Sequence, residues 1–267
     1  MATTMFSTPR PQVSRNMPVI FFKEARYEFL KNLRLRAYSL STILFPAMFY
    51  VLFGLILNRG NTGTLHMPSY FIATYGTFGV MGASLFGTAA GLAAERGLGW
   101  LQVKRASPMP VAAYFVAKIV MSMIFSTLVA LVLMLLGTAF GGVRLSPAAA
   151  AELLAVLVLG SLPFCAMGLA IGYFAGPNSA PATINLIYLP LSFFSGLWVP
   201  LMFLPKVLRN VAHLLPPYHL SQIALSVFGA GQGEPNWSHW QYLAGFLLAS
   251  LGVAYYGFRR DEGKLYG

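Results

Sequence analysis

The sequence predicts an all-α membrane protein with six transmembrane helices, an N-terminal amphipathic interfacial helix, and an outer-leaflet re-entrant helical hairpin between helices 5 and 6. Three observations lead there. Of 267 residues, 57% are hydrophobic and only 9% charged, with mean hydropathy +0.66, whereas soluble domains carry roughly 25% charged residues. The apolar residues fall in long runs. The 18 lysines and arginines stand against 7 acidic residues and lie mostly between those runs. That placement argues against nucleic-acid binding, which needs basic residues gathered on a soluble face.

A helix crossing hydrocarbon needs about 20 predominantly apolar residues, because lipid offers backbone groups no partner. Six runs qualify, near 37–58, 69–92, 114–140, 152–174, 183–200 and 240–257. They divide the chain into a cytoplasmic segment with the interfacial helix (1–36), a six-helix transmembrane domain (37–258) and a cytoplasmic tail (259–267). The first run follows a long basic lead and exceeds a signal-peptide h-region, so it reads as an anchor. Orientation comes from the cations. Arg10, Arg15, Lys23, Arg26, Lys31, Arg34 and Arg36 precede the first run; Arg96, Lys104 and Arg105 separate the second from the third; Arg259, Arg260 and Lys264 follow the last. The other face has Arg59, Arg144, Lys206 and Arg209. The bias puts both termini and the 93–113 loop in the cytoplasm. Lys118, just inside the third run, is expected to snorkel to that surface.

In the N-terminal segment Val19, Phe22, Ala25, Phe29, Leu30 and Leu33 share one helical face amid charged residues, the pattern of a helix lying along the inner leaflet. The stretch 201–238 is apolar, but Lys206, Arg209 and Pro216-Pro217 fall within it. Each cation at a bilayer centre costs about 2.5–3.5 kcal/mol, so two short helices dipping into the outer leaflet are expected instead of a seventh span.

No catalytic constellation emerges. The four histidines, His66, His213, His219 and His239, fall at loops or helix ends, and no HExxH pair occurs, which argues against a metal centre. The run GFRRDEGKL at 257–265 has the wrong glycine spacing for a phosphate loop and Leu265 where Ser or Thr must meet magnesium. Ser195 has no intramembrane histidine to act as its base. Cys165, the one cysteine, reads as a small core residue. Helix interiors are nearly free of charge, so ion coupling has no obvious residue to use. Glycines at four-residue spacing (Gly87/Gly91, Gly137/Gly141, Gly168/Gly172/Gly176) permit close helix approach, within the chain or between subunits.

With no internal source of free energy, the charged loop ERGLGWLQVKRASPMP (95–110) becomes the informative stretch. A short helix near 96–105, halted by Pro108 and Pro110, would pass a mechanical push into the third span. Its candidate contact residues are Glu95, Arg96, Gly97, Trp100, Lys104, Arg105, Ser107 and Pro108.

Here the sequence resembles a family. The run Ala93-Ala94-Glu95-Arg96-Gly97, then Arg105-Ala106-Ser107-Pro108 and Lys118, is similar to the loop between the second and third helices of type-2 ABC-exporter permeases (the ABC-2 membrane subunits). Further on, Leu189-Pro190, Phe193-Phe194-Ser195-Gly196, Trp198, Pro200, Leu204-Pro205 and Leu214-Leu215-Pro216 resemble the family's fifth helix and return loop. Leu98 and Ala117 depart from its usual Thr and Gly.

The resemblance implies a non-catalytic permease subunit of an exporter in the bacterial cytoplasmic (inner) membrane. It would work with a second permease subunit, identical or paralogous, and two copies of a cytoplasmic ABC ATPase. Nothing would bind directly to this chain as cofactor; ATP and magnesium would sit on the partner. It further implies that Glu95–Pro108 forms the coupling loop and that the N-terminal helix (Phe22, Phe29, Leu33) braces it against lipid. Family-motif residues are Pro190, Ser195, Gly196, Pro200, Pro205 and Pro216. A neutral route past Phe45, Phe49, Tyr75, Phe78, Tyr188, Phe193, Phe194 and Trp198 would suit a hydrophobic, amphiphilic or lipid-linked cargo. The alternative is an ATP-independent carrier or a structural membrane subunit.

Overall fold

The structure, a computed structural model, describes residues 16–57, 61–62, 65–106, 109–231, 233 and 235–263. Ser107 and Pro108, the close of the predicted coupling loop, lie outside the described residues, as do the side chains of Lys104 and Arg105.

Helix α1 (Met17–Arg34) opens with Pro18 in its first turn, where the missing N–H costs nothing. It breaks at Leu35, which is non-helical at φ −76°, ψ 84°. Helix α2 (Arg36–Phe49) carries an internal Pro46 and runs on as a π-helical stretch, Tyr50–Leu57. After a two-residue ladder, Asn61–Thr62 with Leu65–His66, α3 (Met67–Leu85) continues through a π-turn at Phe86–Ala90 into α4 (Gly91–Gly97). Left-handed Gly99, φ +73°, turns the chain into the short α5 (Trp100–Ala106). Pro110 then precedes α6 (Val111–Phe140).

Ser146 caps α7 (Pro147–Leu159) by accepting from Ala149 N–H at 3.2 Å, with Pro147 at the first helical position. A break at Gly160-Ser161, just ahead of Pro163, separates it from α8 (Leu162–Phe174). Helix α9 (Ala180–Phe194) ends in a Schellman turn: Gly196, φ +74°, donates to Phe193 O and Leu197 N–H donates to Ser192 O, both at 3.1 Å. That reversal is what Ser195-Gly196 does in the fold. Pro205 and Pro216 then start two short helices, α10 (Lys206–Ala212) and α11 (Pro216–Ser226). Helix α12 (Asn236–Gly263) completes the chain.

Among the described residues, four helical stretches are long and apolar enough to cross a membrane: Arg36–Leu57, Met67–Gly97, Val111–Phe140 and Pro147–Phe174. Ala180–Phe194 is apolar but shorter. α12, at 28 residues, extends for about 42 Å. The six expected runs fall largely in helix, but the fifth leaves it at Phe194, six residues short of its expected end, and the fourth is broken at Gly160-Ser161.

α3 is the central post. All its residues but Ser69 are buried, and its glycines explain how neighbours approach: a Cβ on Gly79 would meet Pro46 of α2 at 2.7 Å and Val129 of α6 at 2.5 Å. The four-residue glycine pairs pack inside the chain. Gly87 faces Tyr38 and Met121, Gly137 and Gly141 face Tyr50, Gly168 faces Thr88, and Gly172 faces Ala89 and Leu92.

At one end of the bundle, here the basic end, lie α1, α4, α5 and the last turn of α12. At the other, α11 is buried almost throughout under the more exposed α10. The histidines there are not peripheral. His219 and His239 are buried with their Nδ1 atoms 2.8 Å apart, and His219 Nε2 lies 3.0 Å from His213 O. A carbonyl can only accept, so neutral His219 carries its proton on Nε2 and His239 donates.

Candidate coupling site

The predicted loop residue Glu95 does not point outward. It turns into the bundle and meets three other charges, Glu28, Lys31 and Lys118. Lys118 Nζ, fully buried on α6, lies 2.9 Å from Glu28 Oε1 and 3.4 Å from Glu95 Oε2. Lys31 of α1 bonds Glu28 at 2.6 Å and also Glu95. The Tyr114 hydroxyl donates to Glu95, and Asn32 Nδ2 donates to Glu28 O at 2.9 Å and to its Oε1 at 3.3 Å. Two carboxylates and two ammoniums thus close a neutral cluster joining α1, α4 and α6. Side-chain exposure is 0% for Lys118, 4% for Glu28, 14% for Glu95 and 48% for Lys31.

This corrects two expectations. Lys118 does not snorkel, because ion partners inside the bundle serve it better than the surface, and its ammonium also lies 4.9 Å from the Tyr114 ring centroid. The helix interiors are not empty of charge, because Glu28 reaches in from α1. Burial alone would raise the Glu28 carboxyl pKa, yet Lys118 and Lys31 outweigh it and hold the group below its ordinary 4.5. Burial likewise disfavours the Lys31 ammonium, but Glu28 and Glu95 raise its pKa above 10.5.

On α1 this polar strip faces the protein. Phe29 packs inward, 5.9 Å from Phe125, while Phe22 and Leu33 are exposed with Val19. The chain's own core therefore covers only one of the three named apolar residues.

Past Glu95, Arg96 bonds Asp261 and Gly172 O, and Gly97 abuts Pro177 so tightly that no Cβ fits. Of α5, Leu101 is buried; Trp100 and Val103, with Leu98 before them, are exposed. The α4–α5 elbow is thus held through Glu95, Arg96 and Gly97, and among its described side chains Leu98, Trp100 and Val103 are exposed together with Gln102.

Beside the elbow lies a cleft of about 1350 Å³, bordered by α1, α2, α3, α4 and α9. Its floor carries Glu28, Lys31 and Glu95, its wall Phe45, Phe86 and Tyr188; Leu98 and Trp100 reach its rim. All eight aromatic candidates belong to one connected set of rings. Phe49 contacts Phe45 at 4.9 Å, Trp198 at 5.7 Å, Tyr75 at 5.9 Å and Phe78 at 6.1 Å; Phe78 stacks on Tyr188 at 4.7 Å; Phe193 links Trp198 and Phe194. Only Phe45 and Tyr188 border the cleft, and Tyr75 and Phe78 are core. Of the motif residues, Gly196 O accepts from Tyr70 at 3.2 Å, and Pro190 lies within α9.

Several apolar helices around an aromatic core, with a large lateral cleft beside a clamped elbow, define a multi-pass membrane protein of the transport class. Residues 21–228 match the ABC-2 type transporter family, and the chain belongs to it. A Bacillus subtilis (strain 168) protein, named only provisionally as transport permease YvfS, is 25% identical over 240 residues, covering 90% of this chain and 97% of the relative. The chain is accordingly the non-enzymatic membrane subunit of an ABC transporter, a family that associates with an ATPase subunit.

Proposed function

We propose that this subunit exports a hydrophobic, amphiphilic or lipid-linked molecule (a drug, lipid or glycan) from the cytoplasm, driven by ATP bound with magnesium on a separate ATPase. The observation that carries the reading is the elbow. Its inner side is fixed by Glu95 and Arg96, its outer side offers Leu98, Trp100 and Val103, and it lies on the rim of the cleft. An exposed apolar patch on a rigidly held short helix suits docking to a protein. Contact there would be felt directly at the cleft floor.

In this reading the basic end is cytoplasmic in a bacterial inner membrane, six helices span, and α10–α11 dip into the outer leaflet. Val19, Phe22 and Leu33 of α1 meet inner-leaflet lipid. Two permease subunits, identical or paralogous, work with two ATPases, and the open side of the cleft faces the second permease subunit. An apolar aromatic wall above a neutral but polar floor suits a molecule with an apolar body and a polar head.

The test is purification from native membrane in mild detergent, identifying what accompanies the protein and assaying ATP hydrolysis. A stoichiometric ATPase with wild type, lost on Trp100→Asp or Val103→Asp while the permease remains inserted, is expected. A permease recovered alone under gentle extraction, with no ATP hydrolysis, would turn the assignment toward an ATP-independent carrier.

A further inference from the structure

Arg96 is the immediate neighbour of Glu95 and serves the opposite side. Adjacent helical residues point about 100° apart, so while Glu95 binds α1 and α6, Arg96 is free to reach two other helices. Its Nη2 and Nε donate to Asp261 Oδ1 at 2.8 and 3.3 Å, its Nη1 donates to Gly172 O at 2.9 Å, and the guanidinium lies 5.5 Å from the Tyr173 ring centroid. Gly172 O belongs to the last turn of α8, whose carbonyls lack intrahelical partners and sit at the negative end of the dipole. Asp261 sits in the final turns of α12.

The approach of α12 has a local cause. A Cβ on Gly257 would lie 2.6 Å from Tyr173 Cβ, so glycine there lets α12 close on α8. Asp261 is four residues on and therefore on the same face, which brings it under Arg96. Gly172 similarly lets α8 close on Ala89 and Leu92, the helix that leads into α4.

The Arg96–Asp261 pair is a weak stabiliser, because both side chains are 20% exposed and pairs in contact with water contribute little. A planar fork with three directed donors on two helices fixes orientation instead. We propose that Asp261 is a positioning residue for the elbow: acting through Arg96, the C-terminal turn of α12 sets the angle at which α4–α5 meets the ATPase. Glu95 ties the elbow to α1 and α6; Arg96 ties it to α8 and α12. This rests on the reading of α4–α5 as the docking elbow.

The test follows hydrogen exchange of the Trp100–Ala106 backbone amides in the purified permease–ATPase complex, with nothing attached to the docking residues. Exchange is compared for wild type, Asp261→Asn and Asp261→Glu, alongside ATPase recovery. Asp261→Asn is expected to keep the ATPase bound yet speed exchange in that helix about threefold, with Asp261→Glu restoring it at least in part. Unchanged exchange in Asp261→Asn overturns the proposal, and so does Asp261→Glu no better than Asp261→Asn. Wild type that recovers no ATPase fails differently: it removes the docking reading, and this inference with it.

Discussion

Lys118 and Lys31 contact the same two carboxylates, yet removing them should have very different consequences. Lys118→Met keeps the side-chain volume on α6 but leaves Glu28, 4% exposed, and Glu95, 14% exposed, facing each other with only Lys31 between. The cluster goes from neutral to one net negative charge inside the bundle. Removing one partner of a buried pair costs about 3–5 kcal/mol, which for a chain of this size lowers Tm by roughly 10 °C. Lys31 is 48% exposed, so Lys31→Met, with water able to replace the ammonium, should cost about 0–1 kcal/mol.

The pH profile sharpens the test. In wild type the Glu28 pKa is held below 4.5, so its contribution is complete above that value and is lost only as pH falls through the lower folded-state value. Lys31 is raised above 10.5, so its contribution is complete below that and is lost as pH climbs through the higher folded-state value. Glu28 and Lys31 therefore contribute no pH dependence between about 5 and 10. In Lys118→Met one carboxylate gains by taking up a proton, so the variant should recover stability from pH 8 to pH 5 while wild type does not. Thermal unfolding in detergent, followed by tryptophan fluorescence at both pH values, measures this. Equal Tm losses for the two lysine variants, or a Lys118→Met deficit indifferent to pH, would refute the argument that burial decides the pair's worth.

Other sites give sharper steric expectations. Gly97→Ala must push aside the rigid Pro177 ring, so a loss of about 1–3 kcal/mol, seen as lower Tm, is expected; a neutral result would mean that the elbow is not pinned there. Gly196→Ala puts a side chain on left-handed backbone and into Leu201 at 2.6 Å. At least about 1–2 kcal/mol is lost, and proteolysis between α9 and α10 should quicken. His219→Ala leaves His239 without its 2.8 Å partner and frees the α11–α12 seam, which costs about 1–3 kcal/mol and should speed hydrogen exchange in Pro216–Ser226; unchanged exchange would sink that view of the pair.

Much of the fold was legible because its signals are local. Apolar run length and the placement of the cations located the helices, whereas the starts at Pro18, Pro147, Pro205 and Pro216 and the reversal at Ser195-Gly196 came only from the structure. The elbow was legible as a charged, proline-closed interruption between Glu95 and Pro110. What stayed hidden was where its charges go. Glu95 and Arg96 are neighbours in a row, and nothing in a row says that one is turned toward Lys31, 64 positions earlier, and the other toward Asp261, 165 positions later. Glu28 looked like one polar residue on an amphipathic helix and Lys118 like a cation near a helix end, since hydropathy counts a charge without knowing its partner. Of the aromatic residues, sequence supplied only the candidates; that they join in one ring cluster, and that Phe45 and Tyr188 border the cleft while Tyr75 and Phe78 do not, depends on packing between distant helices.

The two clamps bear on what a push at the elbow can do. An α5 attached only through flexible ends would absorb a displacement locally. Here the residues just before it are bonded to α1, α6, α8 and α12, while among the described residues no ion pair runs from the elbow to α2 or α9. The helices tied to the elbow should therefore move together, and α2 and α9, which form the far walls of the cleft, should be the surfaces they move against. The break at Leu35, between the clamped α1 and the unclamped α2, lies on the cleft lining itself. Relative motion focused there would change the cleft's width at Phe45 and would reach the core through Tyr188, which stacks on Phe78 at 4.7 Å and donates to Phe78 O at 3.1 Å.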